Sequence, residues 1–360
     1  MNRILVTGGL GYIGSHTCVA LIEGGYHPVV IDTLRNTRIS VKQAIEEITG
    51  KPLEFYQVDA KDTNAVSASI GNIDGVIHFA ALKSVGESIE KPMEYYTENL
   101  ESLLSIIQVA NEKKAKSFIF SSSATVYGDT KESCVNEETP LGKPLNPYGH
   151  TKILGEKILK IGTKEFKTIL LRYFNPVGAH ESAKIGKLPN GVPNNLVPYI
   201  TQTAAGKREK LTVFGNEYNT KDGTCIRDFI HVVDLAEAHV AALKYTKKMK
   251  EAFDIFNVGT GNGNTVLELI ETFEKVNHLK LNYTIGERRT GDIEAIYTDT
   301  SKIESKLGWK AKKQLPTSMK DSWEWEKQHN NYLYEISFSN TGRPFLSSQD
   351  LSIPITQTKG

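Results

Sequence analysis

The 360-residue chain predicts an α/β fold, a doubly wound parallel sheet followed by a smaller, mixed α/β C-terminal domain for substrate. Three features carry that expectation. A glycine-rich turn joins the first apolar run to a helix-forming stretch. Short apolar runs then alternate with helical sequence through residue 174, and past Asn175 the strict alternation gives way to loops. Strands separated by helices pair in parallel, because each crossover returns the chain to the same end of the sheet.

Ile4-Leu5-Val6-Thr7 is a continuous apolar run, as expected of a strand buried on both faces. It enters Gly8-Gly9-Leu10-Gly11-Tyr12-Ile13-Gly14-Ser15-His16, and helix-forming sequence continues to Glu23. Glycines 9, 11 and 14 satisfy G-x-G-x-x-G, while 8, 11 and 14 satisfy the offset spacing G-x-x-G-x-x-G. In either register the missing Cβ atoms let the backbone approach a pyrophosphate at a helix N-terminus. A purely structural turn explains many such stretches. Here strand, loop, helix and a second strand, Pro28-Val29-Val30-Ile31, occur in the required order. The second strand ends in Asp32, where a carboxylate accepts hydrogen bonds from a ribose diol and repels a 2′-phosphate, favouring NAD over NADP.

The alternation continues. Phe55-Tyr56-Gln57-Val58 ends at Asp59, and Gly75-Val76-Ile77-His78-Phe79 runs into Ala80-Ala81. A long helix spans about Met93 to Lys113 behind Pro92, a residue suited to a first helical position. Ser117-Phe118-Ile119-Phe120 and Thr168-Ile169-Leu170-Leu171 are further strands. Ligands of such Rossmann-like sheets bind beyond the carboxyl ends of the strands. Gly8, Asp32, Asp59, Ala80, Ser123 and Asn175 fall at or just past such ends, so one crevice collects them.

The formal net charge of +1 argues against nucleic acid or an anionic membrane as the main partner. No apolar stretch approaches the ~18 residues of a membrane span. The chain opens directly on Arg3-Ile4-Leu5-Val6, so no signal peptide is expected. Cys18, Cys134 and Cys225 are isolated, which points to a reduced, cytoplasmic compartment. The histidines are dispersed without ligand spacing, so no metal is expected.

Catalysis is carried by Ser123, Tyr148 and Lys152. The spacing Y-x-x-x-K occurs twice, as Tyr127/Lys131 and Tyr148/Lys152. Gly128-Asp129 interrupts the first pair with a turn signal. The second follows Pro147 and enters the helical Ile153-Leu154-Gly155-Glu156-Lys157-Ile158-Leu159, so phenol and ammonium share one helix face. A free tyrosine titrates near pH ~10, and lowering that by ~3 units takes ~4 kcal/mol of differential stabilisation of the phenolate. A neighbouring ammonium and a cationic nicotinamide ring both supply attraction in a partly desolvated cleft. Ser123 then hydrogen-bonds a substrate hydroxyl or passes its proton. The chemistry is proton-coupled hydride transfer.

These residues and their neighbours resemble the extended short-chain dehydrogenase/reductase superfamily and, within it, the UDP-glucose 4-epimerase family. The resemblance runs from about residue 2 to 328. It rests on Thr7-Gly8-Gly9-Leu10-Gly11-Tyr12-Ile13-Gly14-Ser15-His16-Thr17, His78-Phe79-Ala80-Ala81-Leu82-Lys83-Ser84-Val85-Gly86-Glu87-Ser88 and Phe120-Ser121-Ser122-Ser123-Ala124-Thr125-Val126-Tyr127-Gly128. Pro147-Tyr148-Gly149-His150-Thr151-Lys152, Arg172-Tyr173-Phe174-Asn175-Pro176-Val177-Gly178-Ala179-His180 and Pro193-Asn194-Asn195-Leu196 extend it. Arg227-Asp228-Phe229-Ile230-His231-Val232 and Arg288-Arg289-Thr290-Gly291-Asp292 complete it. The resemblance implies interconversion of UDP-galactose and UDP-glucose, in galactose metabolism, without net redox change. Tyr148 takes the proton of the 4-hydroxyl while hydride leaves carbon 4 for tightly bound NAD. The 4-keto sugar then presents its other face, and the hydride returns. The cofactor contacts implied are Gly8, Gly11, Tyr12, Ile13, Gly14, Asp32, Asp59, Ala60, Phe79, Ala80, Ala81, Lys83, Asn99, Ser123, Tyr148, Lys152 and Phe174. The family also implies a homodimer through the helices near 93–113 and 148–161.

The expected division is a nucleotide domain over 1–174, a mainly UDP-sugar-binding domain over 175–329 with some segments returning to the first, and a tail over 330–360 without sustained period. A UDP-sugar carries two phosphates, which suits paired guanidinium donors. The substrate candidates are Lys83, Ser123, Tyr148, Asn175, Asn194, Asn195, Leu196, Thr212, Phe214, Arg227, Arg289, Asp292 and Ile296. Ile296 matches neither the large tyrosine nor the small residue that family members carry there, so weaker use of N-acetylated sugars is expected. Gly259-Thr260-Gly261-Asn262-Gly263 reads equally well as a phosphate loop or as a turn before a helix, and no ligand is assigned to it. A dehydratase would need acidic residues just after the serine, where this chain has Ala124-Thr125-Val126. The surviving Tyr/Lys pair argues against a non-catalytic NAD sensor.

Overall fold

The computed structural model describes residues 2–162, 165–189, 191–289 and 292–341, with side chains described as far as 329. Its frame is a seven-stranded sheet, parallel throughout, in the order Phe253–Val258, Lys167–Tyr173, Ser117–Ser123, Gly75–His78, Arg3–Thr7, His27–Ile31 and Glu54–Tyr56. The strand order reverses at Arg3–Thr7, which opens a crevice past its carboxyl end. Side-chain alternation supplies both faces. Ile4 and Val6 enter a core with Leu21, Leu235 and Leu243, from the helices Tyr12–Glu23 and Val232–Thr246. Leu5 and Val76 point the other way, to Leu103, Ile106 and Val109 of the helix Pro92–Glu112 and Leu159 of the helix Pro147–Gly162.

Two strands sharpen the expected pattern. The run predicted to stop at Phe120 extends through the three serines to Ser123, because Ser121, Ser122 and Ser123 lie opposite Leu171, Arg172 and Tyr173 in the ladder. Phe253–Val258 comes long after residue 175 and still pairs with Lys167–Tyr173 to complete the large sheet.

The second lobe is mixed. Ile226–His231 pairs antiparallel with Gly263–Thr265 and parallel with both Ala295–Thr298 and Asn175–Val177, while Ala295–Thr298 also takes Cys134–Val135 from the first half of the chain. A separate two-stranded ladder joins Leu211–Phe214 to Tyr283–Gly286. Ile200, Val213, Leu269, Ile270, Phe273 and Met319 form this lobe's core. The last helix, Leu315–Thr341, continues past His329 into the stretch read as tail; residues 342–360 of that tail lie outside the described residues.

Candidate active site

The cleft between the lobes, about 1640 Å³, opens at the carboxyl ends of the large sheet. Its floor begins at the glycine turn. Gly8 adopts φ +65°, a left-handed conformation that favours glycine. A Cβ on Gly14 would stand 2.4 Å from the Gly8 carbonyl oxygen, so that position admits no side chain. Gly11 N–H donates to Gly8 O at 3.0 Å, and no side chain caps the start of the helix Tyr12–Glu23. Its first N–H groups are therefore free to meet an anion.

Asp32 is held on three sides, accepting from Leu10 N at 3.2 Å, Leu34 N at 2.9 Å and Thr37 Oγ1 at 2.8 Å. A carboxylate accepts about four bonds, which leaves roughly one for a ribose hydroxyl. Thr7 sets the opposite wall, where its Oγ1 accepts from Phe79 N at 3.2 Å and Ala80 N at 3.1 Å. The uncapped helix start, the glycine turn and the fixed Asp32 together fit a dinucleotide such as NAD.

Lys152 is buried and donates from Nζ to Ser121 O at 2.7 Å. The same ammonium lies 5.8 Å from the Tyr148 ring centroid and 5.0 Å from that of Phe120. Ser123 ends its strand and accepts at Oγ from Thr125 N at 3.3 Å, capping the 3-10 turn Ala124–Tyr127. In the protein alone the Tyr148 phenol is raised rather than lowered, because burial outweighs the hydrogen bond from Ser123. Burial also draws the Lys152 ammonium down to about 8, against the attraction of Glu156.

One turn beyond Lys152, Glu156 accepts from Arg172 at 2.9 and 2.7 Å, and from the Ser122 hydroxyl. Both members of the pair are under 5% exposed. Arg172 also donates to the Tyr127 hydroxyl, which itself donates to Asn257 Oδ1 at 2.6 Å. The rival tyrosine of the Tyr127/Lys131 spacing is thus a structural group under the catalytic helix.

Every candidate named from the sequence lines this cleft except two. Asn99 lies behind the wall, bonded through Oδ1 to Leu82 N and through Nδ2 to Leu82 O and Thr151 Oγ1, so its amide is spent on the backbone. Ile296 turns inward from its strand and packs with Phe174, Val126 and Ile153, 5% exposed. On the second lobe Arg227 stands 3.7 Å from Asp292, and the Arg289 guanidinium lies 3.8 Å over the Phe214 ring. Asn194 Nδ2 donates to Ser84 Oγ at 3.0 Å and bridges the mouth. Thr290-Gly291 of the adjoining motif lie outside the described residues. The glycines at 259–263 form a turn closed on the buried Asp228, which accepts from Thr260 N and Gly261 N, so those donors are already used.

Sequence reading missed Lys187, Trp325 and His329 on the cleft wall. A lone basic or aromatic residue carries no local pattern, and helix Leu315–Thr341 reaches the cleft only through tertiary packing.

A family model described as GDP-mannose 4,6 dehydratase matches residues 5–322. The chain is 49% identical to the UDP-glucose 4-epimerase of Bacillus subtilis (strain 168), over 91% of this chain and 98% of that protein. It is 46% identical to the UDP-glucose 4-epimerase of Dictyostelium discoideum, over 92% and 97%. Among solved structures, the UDP-glucose 4-epimerase of Bifidobacterium longum in complex with NAD+ and UDP aligns with a TM-score of 0.87 and 44% identity, covering 92% of this chain and 99% of that one. The Stenotrophomonas maltophila UDP-glucose-4-epimerase with bound NAD and formylated UDP-arabinopyranose gives 0.89 and 42%, covering 92% and 100%. The turn after Ser123 carries no carboxylate, which separates this site from a dehydratase within the broader family.

Proposed function

The chain belongs to the UDP-glucose 4-epimerase family, and on that premise we propose how its residues divide the interconversion of UDP-galactose and UDP-glucose through a transient 4-keto sugar. When bound, NAD would accept and return the carbon-4 hydride, and its positive charge would favour the phenolate. Tyr148 accepts the proton of the 4-hydroxyl and gives it back. Ser123 orients that hydroxyl and shares its proton. Lys152, fixed by the Ser121 carbonyl, keeps a positive charge beside the phenol. Gly8, Gly11, Tyr12, Ile13 and Gly14 receive the cofactor pyrophosphate, Asp32 its ribose, and Asp59 and Ala60 its adenine end. Phe79, Ala80, Ala81, Lys83 and Phe174 flank the nicotinamide half. Arg227 and Arg289 receive the UDP phosphates, while Asn175, Asn194, Asn195, Leu196, Thr212, Phe214 and Asp292 shape the uridine and sugar contacts.

One observation carries this reading: Ser123, Tyr148 and Lys152 open onto the same cleft as the glycine turn and the two arginines. The experiment is to incubate purified protein with UDP-galactose, adding no cofactor, and to look for UDP-glucose. Conversion that collapses in Tyr148→Phe supports the reading, and no conversion even with added NAD sinks it.

The protein acts as a homodimer through the helices Pro92–Glu112 and Pro147–Gly162. Exposed apolar residues on and at the ends of these helices, Met93 at 71%, Leu104 at 52% and Ile161 at 79%, support this. Sedimentation at micromolar concentration tests it, and a monomer throughout overturns it. A cytoplasmic location is supported by the three free thiols. Among the described residues, no helix is long and apolar enough to cross a membrane. Fractionation of cells tests that placement.

A further inference from the structure

Four of the basic residues lining the cleft are already neutralised. Arg35 pairs with Glu94, Lys61 with Glu98, Lys184 with Glu47 and Arg227 with Asp292. Lys187 differs. Among the described residues, no carboxylate lies within ion-pair distance of its Nζ, and it shares the cleft with another cation, Lys83, whose charge it feels. The loop nevertheless holds it in place. Trp325 Nε1 donates to Lys187 O at 3.1 Å, and Gly186 packs so closely on the Trp325 indole that a Cβ would stand 2.5 Å from the ring. The ammonium lies 5.4 Å from the centroid of the Tyr12 ring, whose hydroxyl donates to Gly178 O at 2.7 Å. Tyr12 is the first residue of the helix whose uncapped start faces the cleft.

We propose that Lys187, acting with Lys83, is a binding residue for a diphosphate in the cleft. The inference rests on the epimerase reading, which brings diphosphates into the cleft with both cofactor and substrate. Two like charges held together with no counter-ion are unfavourable in the free protein; crowding and the Lys83 charge both push the Lys187 ammonium well below its ordinary value. A bound diphosphate removes that conflict by pairing with both. The fixed loop means little ordering remains to be done on binding.

The test uses the full-length holoenzyme and the variants Lys187→Gln and Lys187→Arg. Calorimetry compares UDP with uridine, and cofactor retention is read from NAD released during gel filtration. If the clamp serves the substrate, Lys187→Gln weakens UDP by roughly tenfold or more while uridine binding is unchanged. If it serves the cofactor, Lys187→Gln sheds NAD that wild type keeps. In either case Lys187→Arg restores most of the loss. Unchanged UDP affinity and unchanged NAD retention in Lys187→Gln overturn the inference, and so does an equal loss for uridine. A wild type that fails to convert UDP-galactose overturns the epimerase reading instead.

Discussion

The two walls of the cleft hold their functional groups by different means. On the sheet side, Lys152 is tied to a strand carbonyl and the helix beneath it is locked by the buried Glu156–Arg172 pair. On the other lobe, Arg227 and Arg289 stand at the ends of strands and loops, held by a 3.7 Å ion pair and by stacking on the 37% exposed Phe214. The difference teaches that the groups proposed for proton transfer are built into a core, whereas those proposed for phosphate recognition rest on a more exposed surface. Chemistry needs placement to within a fraction of an ångström, and recognition tolerates adjustment.

The comparison is tested hardest on the sheet side. Tyr148→Phe removes only the proton carrier, so kcat falls roughly a hundred- to ten-thousandfold while the thermal midpoint stays near wild type. A fall in both together would make Tyr148 structural. Glu156→Gln leaves the Arg172 charge buried without its partner and costs about 3–5 kcal/mol of stability in denaturant titrations. A cost near zero would show that the pair does not lock the helix.

On the recognition side, Arg289→Ala raises KM about tenfold, with kcat within about twofold. A loss confined to kcat would erase the contrast between the walls.

Lys152 contributes a signed pH dependence. Its ammonium titrates at about 8 in the fold and at 10.5 ordinarily, so between those values the unfolded chain binds more protons. The Lys152 contribution therefore raises stability as pH climbs through that window, while activity of the free enzyme falls because the cation is lost. Lys152→Met flattens the stability slope, and an unchanged slope would assign it to other groups. The smallest effect belongs to Ile296→Val, which costs about 0.5–1.5 kcal/mol. Because Ile296 is buried in an apolar cluster and does not line the cleft, the preference between plain and N-acetylated sugars stays the same. A shifted preference would place residue 296 in control of the sugar pocket.

Much of the sheet wall is legible in the linear chain because its signals are local. Glycine spacing, an apolar run ending in Asp32, and a Tyr/Lys pair on one helix face each lie within a few residues. The strand Phe253–Val258 escaped notice because its burial comes from pairing with residues some eighty positions earlier. Asn99 and Ile296 were placed in the site by analogy of position, while their side chains answer to backbone and core partners instead. Lys187 and Trp325 carry no pattern at all, and only their meeting across the cleft marks them.

By itself, the sequence determined the parallel sheet, the nucleotide end of the cleft and the choice of Ser123, Tyr148 and Lys152 as candidates, since periodicity and short spacings are properties of neighbouring residues. The tertiary structure decided which cations remain unpaired, which way Asn99 and Ile296 face, and that burial raises the Tyr148 phenol before any ligand arrives. Those outcomes depend on desolvation and on charges brought together from distant parts of the chain, which no local spacing encodes.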